Sequence, residues 1–338
     1  MTEDGRHVEA KACRRNGSPF FDRVVFSGGS TQAFAFIGCV RYLEELNIVG
    51  KVHTVAGTSA GALISLMLTL GMTSHEMETW ACEKITEMNA HQLDVDVEDV
   101  LDLYTSMGLD KGWRIGAFLN NMMVDRLERY RASSRDQKTP VTFEELHHAT
   151  GKTLIVCASN LTTASPEYFS HITTPHISVV TAIRASMCLP VFFAPVVINN
   201  MMYSDGGIFD NLPVRAVLEI NGTKKEDEGV SSSPFAPVLA MNIPWCLSSQ
   251  LPSNIVNYAT YLVTSLLIRA NNTNRREDFT DTNSNAVRIV NIDNQEQAHP
   301  FFGFRLGLDD SMEFVVDKKM AKRYAERGYG TLKKALTT

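Results

Sequence analysis

The sequence predicts an α/β fold in which a central, mostly parallel sheet carries helices on both faces. Over residues 23–70, short apolar stretches alternate with helical segments, and a strand–helix–strand succession forms a right-handed parallel unit. Residues 55–63 provide a second observation: Gly-x-Ser-x-Gly stands there between an apolar strand and an apolar helix, which is the pattern of a nucleophile elbow. The helical character of residues 73–131 predicts a helical insert that could cap the sheet edge.

The individual elements follow from hydrophobic periodicity and from Gly and Pro breaks. The first long helix has the clearest spacing, since Phe34, Ile37 and Val40 fall on one face. Short apolar strands are expected at residues 23–26, 53–56, 153–158, 167–170, 196–198, 202–203, 238–242 and 286–292. Helices are expected at residues 33–46, 60–70, 74–89, 115–130, 143–149, 179–187, 255–269 and 311–334.

These elements are expected to form one catalytic domain. Residues 1–22 are polar and predict a flexible lead-in. Residues 23–215 form the catalytic core, and residues 216–338 complete the same domain. Within that last part, residues 221–237 are rich in Ser, Gly and charge, which predicts a surface loop, and the chain ends in a basic helix.

Composition excludes some classes of function. The 338 residues are 44% hydrophobic and 21% charged, as in an ordinary globular protein. The net charge of −6 argues against a nucleic-acid partner, because binding phosphates needs a basic surface. The polar N-terminus has no apolar region of a secretory signal. No apolar stretch approaches the roughly 20 residues of a membrane span, so a lipid substrate would be met at a membrane surface.

The cysteines favour a reducing compartment. They are scattered, without a Cys-x-x-Cys pair, which is typical of buried thiols in an intracellular protein. We therefore expect a cytoplasmic protein, with peripheral membrane association left open. No metal-ligand spacing is present. The six are Cys13, Cys39, Cys82, Cys157, Cys188 and Cys246.

Ser59 is the candidate nucleophile. In an elbow, side chains at Gly57 and Gly61 would collide with the neighbouring strand and helix. The serine then stands at a helix N-terminus, where the dipole favours the negative charge of an attacking alkoxide or of an oxyanion. The alternative is a turn of small residues in which Ser59 is merely an N-cap.

Two further segments have residues suited to the same chemistry. Ser27-Gly28-Gly29-Ser30 lies between a strand and a helix, so its backbone N–H groups can form an oxyanion hole or simply a structural turn. It lacks the patterns of a phosphate-binding loop. Asp205-Gly206-Gly207 follows a strand and places a carboxylate at the sheet edge, as a general base or as an ordinary turn.

Together these motifs resemble the patatin-like phospholipase family, which is similar to the calcium-independent and cytosolic phospholipases A2. The resemblance covers roughly residues 23–215. It includes Gly28-Gly29, Gly57-Thr58-Ser59-Ala60-Gly61 and Asp205-Gly206-Gly207. It also includes Arg184-Ala185-Ser186-Met187 with Pro190. The family implies a three-layer α/β fold.

The resemblance also implies a mechanism. Ser59 would be the nucleophile and Asp205 the base of a Ser-Asp dyad that acts without histidine. The amides of Gly28, Gly29 and Ser30 would hold the oxyanion. The activity implied is phospholipase A-type ester hydrolysis through an acyl-enzyme, with an acyl lipid as substrate and neither metal nor organic cofactor.

One segment departs from the family pattern Gly-Gly-Gly-x-Arg/Lys-Gly. Here the loop is Gly28-Gly29-Ser30-Thr31-Gln32-Ala33. The backbone donors are retained, but Gln32 replaces the cation. The change predicts weaker binding of anionic head groups or an altered loop geometry. It also motivates an alternative, a lipid-binding or regulatory protein with weakened catalysis.

Two more hypotheses concern residues outside these motifs. In a Ser-His-Asp esterase, His299 would join Ser59 and Asp205, although a surface histidine also fits its polar loop. The C-terminal cations are a solvated helix face or a site attracted to anionic lipid. These cations are Lys318, Lys319, Lys322, Arg323, Arg327, Lys333 and Lys334. Four apolar residues could line an acyl channel, although each could equally be an ordinary core residue. They are Phe34, Met187, Phe192 and Phe193.

Overall fold

The computed structural model describes residues 14–15, 18–90, 107–110, 112–131, 140–222, 237–244, 287–292, 304–306, 312–314 and 317–337, with positions 258, 261, 262, 265 and 268. Its strands are β1 (Arg14–Arg15), β2 (Ser18–Pro19), β3 (Arg23–Phe26), β4 (Thr54–Thr58), β5 (Gly108–Asp110), β6 (Thr153–Asn160), β7 (Ser165–Phe169), β8 (Val191–Phe193), β9 (Val196–Ile198), β10 (Met201–Asp205), β11 (Val238–Asn242), β12 (Val287–Asn291), β13 (Phe304–Leu306) and β14 (Met312–Phe314).

The helices flank these strands. They are α1 (Phe34–Glu45), α2 (Ala60–Thr69), α3 (Ser74–Ala90), α4 (Trp113–Arg131), α5 (Phe143–Thr150), α6 (Val179–Met187), α7 (Val214–Gly222) and α8 (Lys318–Thr337). Short 3₁₀ turns at Ser30–Ala33 and Gly206–Ile208 follow β3 and β10. Both turns lie at the edge of the sheet where the candidate site residues are found.

The main sheet has the strand order β12-β11-β3-β4-β6-β10-β9, and β7 also pairs with β6. The neighbours from β12 to β6 are parallel, whereas β7, β9 and β10 are antiparallel to their partners. The expectation of a mostly parallel sheet is confirmed. Because the strands from β12 to β6 run in one direction, their carboxyl ends share one edge of the sheet, where ligands of open α/β sheets bind.

The core lies on both faces of this sheet, as the alternation along each strand requires. On β3, Val24 and Phe26 belong to the larger cluster, which contains α1, α2, α6 and α8. Val25 points to the opposite face and packs with the apolar side of α7. Helices therefore cover both faces of the sheet, as the sequence predicts.

The register on β6 brings two strand ends together. Thr58 of β4 pairs with Cys157, and Asp205 of β10 pairs with the next residue, Ala158. Since β7 occupies the opposite edge of the same β6 residues, β4 and β10 lie end to end along one edge. The chain leaves β4 at Ser59 and leaves β10 at Asp205, so this register brings those two positions together.

The C-terminal helix α8 crosses α1 at very close range. A Cβ at Gly38 would lie 1.7 Å from the Ala325 carbonyl oxygen, and one at Gly328 would lie 1.8 Å from the Ala35 carbonyl oxygen. Glycine at these two positions lets the backbones approach directly. Thus α8, which the sequence places in the final part of the chain, packs on the first helix of the core.

Some expected elements differ from the structure. The terminal helix begins at Lys318 rather than near residue 311, and Met312–Phe314 is a strand paired with Phe304–Leu306. Both segments alternate apolar and polar residues, the period of a strand. The helical insert contains a strand, β5, parallel to β8. The surface loop was expected from residue 221, but α7 continues to Gly222, and residues 223–236 lie outside the described residues.

Candidate active site

Ser59 stands on a strained turn between β4 and α2. Its φ of 53° and ψ of −125° are uncommon for a residue with a Cβ. A Cβ at Gly57 would lie 2.4 Å from the Gly61 carbonyl oxygen, and a Cβ at Gly61 would lie 2.4 Å from the Ser27 carbonyl oxygen. The collisions expected at both glycines are therefore confirmed. Ser59 occupies the N-cap position of α2, but its side chain does not cap the helix.

The Ser59 hydroxyl instead faces Asp205. Its Oγ donates a hydrogen bond of 2.6 Å to Oδ2 of Asp205, the length of a strong O–H···O⁻ interaction. The other carboxylate oxygen accepts from the Gly207 amide at 2.8 Å. The expected convergence of the two side chains is present, and no histidine is recorded between them among the described residues.

Burial makes Asp205 a stronger base than an ordinary aspartate. The residue is 4% exposed. Desolvation raises the pKa of its carboxyl from 3.8 to about 6, although hydrogen bonds from Ser59 and Gly207 act in the opposite direction. A carboxylate with this pKa is still largely ionised at neutral pH, and it accepts a proton more readily than a solvated aspartate does.

Ser186 holds the elbow from the side of α6. Its Oγ accepts a 2.8 Å hydrogen bond from the backbone N–H of Ser59 and donates one of 2.6 Å to the carbonyl of Cys157. The side chain is completely buried. Ser186 thus ties the strained residue to β6, the strand whose register brings Asp205 into place. In the sequence, Ser186 is marked only as part of the Arg184-Ala185-Ser186-Met187 segment of the family resemblance, which gives it no role of its own.

The glycine-rich loop lies against the nucleophile. A Cβ at Gly28 would approach Ser59 Cβ to 3.4 Å. The Gly28 N–H, however, donates to the carbonyl of Asn211 at 3.1 Å, and the Asn211 side-chain amide donates to the Gly28 carbonyl at 3.4 Å. The loop is therefore joined to the turn that follows Asp205. Oxyanion binding by the Gly28 N–H would require the first of these hydrogen bonds to break.

Other backbone donors stand nearby. Within the described residues, no acceptor is recorded for the N–H groups of Gly29 and Ala60. Ala60 is the first residue of α2, so its N–H has no intrahelical partner; the oxyanion donors predicted from the sequence do not include it. Ser30 has a φ of 49°, the left-handed conformation that glycine adopts most easily. The family pattern has glycine at this position.

The turn after Asp205 is itself held firmly. Thr58 Oγ1 donates to the Asp210 carbonyl at 2.9 Å, and the Tyr168 hydroxyl donates to an Asp210 carboxylate oxygen at 2.8 Å. Ser159 Oγ donates to the Asp205 carbonyl at 2.8 Å. These contacts come from β4, β7 and β6. The sheet therefore holds both Asp205 and the turn that follows it.

The four acyl-channel candidates occupy different places. Met187 and Phe193 line a small cavity that has room for about one water molecule. Ser59 and Asp205 are not among its lining residues. Phe34 instead packs beside Ala321 of α8, and Phe192 is buried. As it stands, the cavity is too small for an acyl chain, so the channel stays a prediction.

The described residues were expected to hold neither a metal ion nor a membrane span. No group of His, Cys, Asp and Glu there is arranged to hold a metal ion. In the same residues, no helix combines the length and apolar character needed to cross a bilayer. His299, the candidate third member of a triad, lies outside the described residues.

Comparisons with known proteins identify relatives of this chain. A family model described as patatin-like phospholipase matches residues 24–218, more than half of the chain. The chain is 27% identical over 210 residues to a probable lipid hydrolase, 463L, of Invertebrate iridescent virus 6, covering 61% of this chain and 67% of that protein. It is 26% identical over 205 residues to a patatin-like phospholipase domain-containing protein of Aspergillus terreus, covering 56% of this chain and 26% of that protein.

A solved structure is also similar. VipD from Legionella pneumophila aligns over 94% of this chain and 67% of its own, with a TM-score of 0.46 and 16% identity. The sequence relatives, like VipD, are longer than the stretch they share with this chain.

Proposed function

Because this chain belongs to the patatin-like phospholipase family, we propose that it hydrolyses carboxylic esters of acyl lipids, phospholipids in particular, and that Ser59 and Asp205 carry out the reaction. The observation that supports the proposal most strongly is the 2.6 Å hydrogen bond between Ser59 Oγ and Asp205 Oδ2. It joins a candidate nucleophile on an elbow to a buried carboxylate whose pKa is raised. A nucleophile and a base within hydrogen-bonding distance are the geometric signature of covalent acyl transfer.

In the first half of the reaction, Ser59 Oγ attacks the ester carbonyl carbon while Asp205 accepts the hydroxyl proton. The tetrahedral intermediate then collapses, the bond to the leaving oxygen breaks, and Asp205 returns the proton to that oxygen. The products are an alcohol, such as a lysophospholipid, and an acyl group esterified to Ser59. The raised pKa of Asp205 favours the proton transfer at neutral pH.

The second half restores the enzyme. A water molecule loses its proton to Asp205 and attacks the acyl-enzyme carbonyl. Collapse releases a fatty acid, and the proton passes from Asp205 to Ser59 Oγ. All bonds made and broken are accounted for by the ester and one water, so the residues described require no oxidant, reductant or group donor.

The oxyanion in both halves would be held by backbone amides next to Ser59. We assign this role to Gly29 and Ser30 of the glycine-rich loop, with Gly28 joining them only if its hydrogen bond to Asn211 opens. Ala60, at the start of α2, is a further donor whose N–H resembles that of an α/β-hydrolase elbow. Donors of this kind are each worth roughly 2.7–4 kcal/mol in a well-studied protease.

Two alternatives have less support. A Ser-His-Asp esterase would place an imidazole between serine and aspartate, whereas here the hydroxyl and the carboxylate are in direct contact. A purely lipid-binding protein has no need of a strained serine bonded to a buried, desolvated carboxylate. The strain and the desolvation both cost stability, which favours a catalytic role.

The proposal is tested on mixed phospholipid vesicles, with the released fatty acids and lysolipids identified by mass spectrometry. The native protein is expected to release both products, and Ser59→Ala and Asp205→Asn neither. His299→Ala should retain hydrolysis, as should Ser170→Ala, a buried serine on the turn after β7 that serves as a folding control. Equal release by native protein and Ser59→Ala would contradict the proposal, and loss in His299→Ala would favour the triad.

A further inference from the structure

The first two turns of α8 carry a cluster of exposed cations. Lys318, Lys319, Lys322 and Arg323 are all exposed, and at 100° per residue they lie on one side of the helix. We call these four residues the α8 basic cluster. The helix has a single acidic residue, Glu326, whose carboxylate is paired with Arg41 at 3.0 and 3.1 Å. In a chain with a net charge of −6, the cluster is a strong local exception.

The cluster lies at the catalytic edge of the sheet. Ala321, within the same turns of α8, packs against Phe34 at the start of α1, and α8 contacts the Ser30–Ala33 turn of the glycine-rich loop. At the other end of the helix, the Arg288 guanidinium at the start of β12 donates to the Ala335 carbonyl. The helix therefore runs from the carboxyl ends of the parallel strands to their amino ends.

The helix dipole does not account for these charges, and among them Lys322, after Arg41, helps to lower the pKa of the Glu326 carboxyl. Lys318 and Lys319 stand in the first turn of α8, where the helix dipole favours acidic residues and disfavours basic ones. Asp317 already caps this end by accepting from the Met320 amide at 2.6 Å. Within the described part of the chain, no carboxylate lies in ion-pair distance of Lys318, Lys319 or Lys322. Lys318, Lys319 and Lys322 are exposed to solvent, where they can meet an external anion.

We infer that the α8 basic cluster docks the protein on bilayers containing anionic phospholipid and turns the Ser59 edge of the sheet towards the lipid. Cations near such a surface each contribute about a fivefold gain in affinity. The cluster adjoins the loop where Gln32 replaces the family cation, so it brings positive charge back to the mouth of the site from another part of the chain. The orientation serves catalysis only if Ser59 hydrolyses lipid, and in that respect the inference rests on the proposed function.

The same helix offers a matched control. Lys333 and Lys334 are also exposed lysines, but they lie near the end of α8, by the amino edge of the sheet. A bilayer that faces the Ser59 edge would not meet them. Attraction by net charge alone would make no distinction between the two pairs.

The experiment measures vesicle binding by sedimentation, in a Ser59→Ala background so that the lipid is not consumed. Vesicles of phosphatidylcholine with about 30% phosphatidylserine are compared with phosphatidylcholine alone, at low and high salt. Lys319→Gln/Lys322→Gln should weaken binding to the anionic vesicles on the order of thirtyfold, whereas Lys333→Gln/Lys334→Gln should change it less than about threefold. The difference should shrink at high salt.

The inference is overturned if Lys319→Gln/Lys322→Gln binds anionic vesicles as tightly as the Ser59→Ala protein does, or if the two double variants lose affinity equally. It is also overturned if the protein binds phosphatidylcholine vesicles as tightly as the anionic vesicles. Hydrolysis of a soluble short-chain ester by the same pairs with Ser59 intact separates docking from chemistry. Unchanged rates are expected. If no variant or native protein cleaves the ester while the binding difference holds, the proposed function fails and the docking surface stands.

Discussion

Helices α5 and α2 each begin at a hydroxyl residue, and these two starts are built in opposite ways. At α5, the Thr142 side chain accepts from the Glu145 amide at 3.2 Å, and the Glu145 carboxylate accepts from the Thr142 amide at 3.0 Å. At α2, the Ser59 side chain turns away from its helix and donates to Asp205. Thr142 has extended backbone angles, whereas Ser59 has a positive φ.

The difference shows that the start of α2 lacks two features that stabilise an ordinary helix start, a side-chain cap and unstrained backbone angles. A capping interaction is worth about 1 kcal/mol, and a non-glycine residue in a sparsely populated backbone region costs about 1–3 kcal/mol. α5 obtains the first and avoids the second, and it ends with Gly151 in the left-handed C-cap conformation. α2 has no side-chain cap and retains the strain at Ser59. As a result, the Ser59 hydroxyl is available to a reacting carbonyl.

Removing the Ser59 hydroxyl should have the largest effect. Ser59→Ala is expected to lower the rate of phospholipid hydrolysis at least about ten-thousandfold, because it deletes the nucleophile. The free energy of unfolding at neutral pH should fall by about 1–3 kcal/mol, because the buried Asp205 carboxylate loses the hydrogen bond from Ser59. Product release from vesicles and thermal unfolding check the two halves of this expectation. If Ser59→Ala lowered the free energy of unfolding but left the rate of hydrolysis unchanged, Ser59 would have only a structural role, like Thr142.

Asp205→Asn is expected to abolish hydrolysis while making the protein more stable. The amide keeps the shape, and its Oδ1 can accept from the Gly207 N–H while its Nδ2 donates to Ser59 Oγ. It cannot accept the serine proton, so a loss of at least about a thousandfold is expected. The buried carboxylate, whose pKa is raised from 3.8 to about 6, costs on the order of 3 kcal/mol when ionised. The variant should recover part of this free energy of unfolding at pH 8.

The sign of this effect is set by pH. Because the folded-state pKa is raised, the cost is present above about pH 6 and disappears as pH falls towards 4, where Asp205 binds a proton in the folded protein. Denaturant unfolding of both proteins at pH 8 and pH 4 therefore should show a difference only at the higher value. The native kcat/KM should fall about tenfold per pH unit below 6. A variant less stable at pH 8 would show that Asp205 is a structural residue.

Ser186→Ala should weaken catalysis without removing a reacting group. Losing the acceptor of the Ser59 amide frees the strained elbow, so kcat should fall roughly ten- to a hundredfold with KM nearly unchanged. Ser186→Thr, which restores the hydroxyl, should recover part of the rate. The measurement is steady-state kinetics on a soluble ester, where vesicle binding has no influence.

Ser170→Ala is the matched control for this substitution. Ser170 is also fully buried, and its Oγ accepts from the amides of Ile172 and Thr173 at 3.2 and 3.1 Å. Its loss should destabilise the fold to a similar degree, by about 1–3 kcal/mol, with kcat intact. If both variants lose kcat equally, Ser186 has no positioning role beyond its share in stability.

The smallest effect is expected at the other helix start. Thr142→Ala removes the capping box of α5 and should lower the free energy of unfolding by about 1 kcal/mol. Hydrolysis should stay within about twofold of the native rate, because none of the hydrogen bonds recorded for Ser59 and Asp205 among the described residues comes from α5. Chemical denaturation measures the free energy of unfolding, and the vesicle assay measures the rate of hydrolysis. A large loss of activity would contradict the view that the start of α5 is independent of the site at the start of α2.

The sequence predicts most of what local physics controls. The order of strands and helices follows from periodicity, and the elbow follows from glycines whose Cβ atoms would collide. Because 146 residues separate Ser59 from Asp205, no local pattern predicts their pairing. Only the family resemblance implies it. Its physical cause, two strands meeting end to end on adjacent residues of β6, is a matter of tertiary register that no local pattern specifies.

The parts that escaped prediction depend on contacts between distant segments. Ser186 reaches the elbow only because α6 packs against β6 and β10, and the Gly28 amide bonds to Asn211 only because the two loops meet. The strand Met312–Phe314 is different, because its apolar–polar alternation is visible in the sequence, and the helix predicted from residue 311 wrongly includes it. The catalytic roles of all these residues stay predictions of the proposed function.

The account depends most on covalent chemistry at Ser59, and trapping the intermediate tests that directly. The protein is mixed with a short-chain phosphatidylcholine, quenched in acid at early times and digested for peptide mass spectrometry. We expect the acyl mass on the peptide that contains Ser59, at a level that rises before it reaches a steady state. Turnover with an acyl group on another residue, or with none on any peptide, would contradict the account.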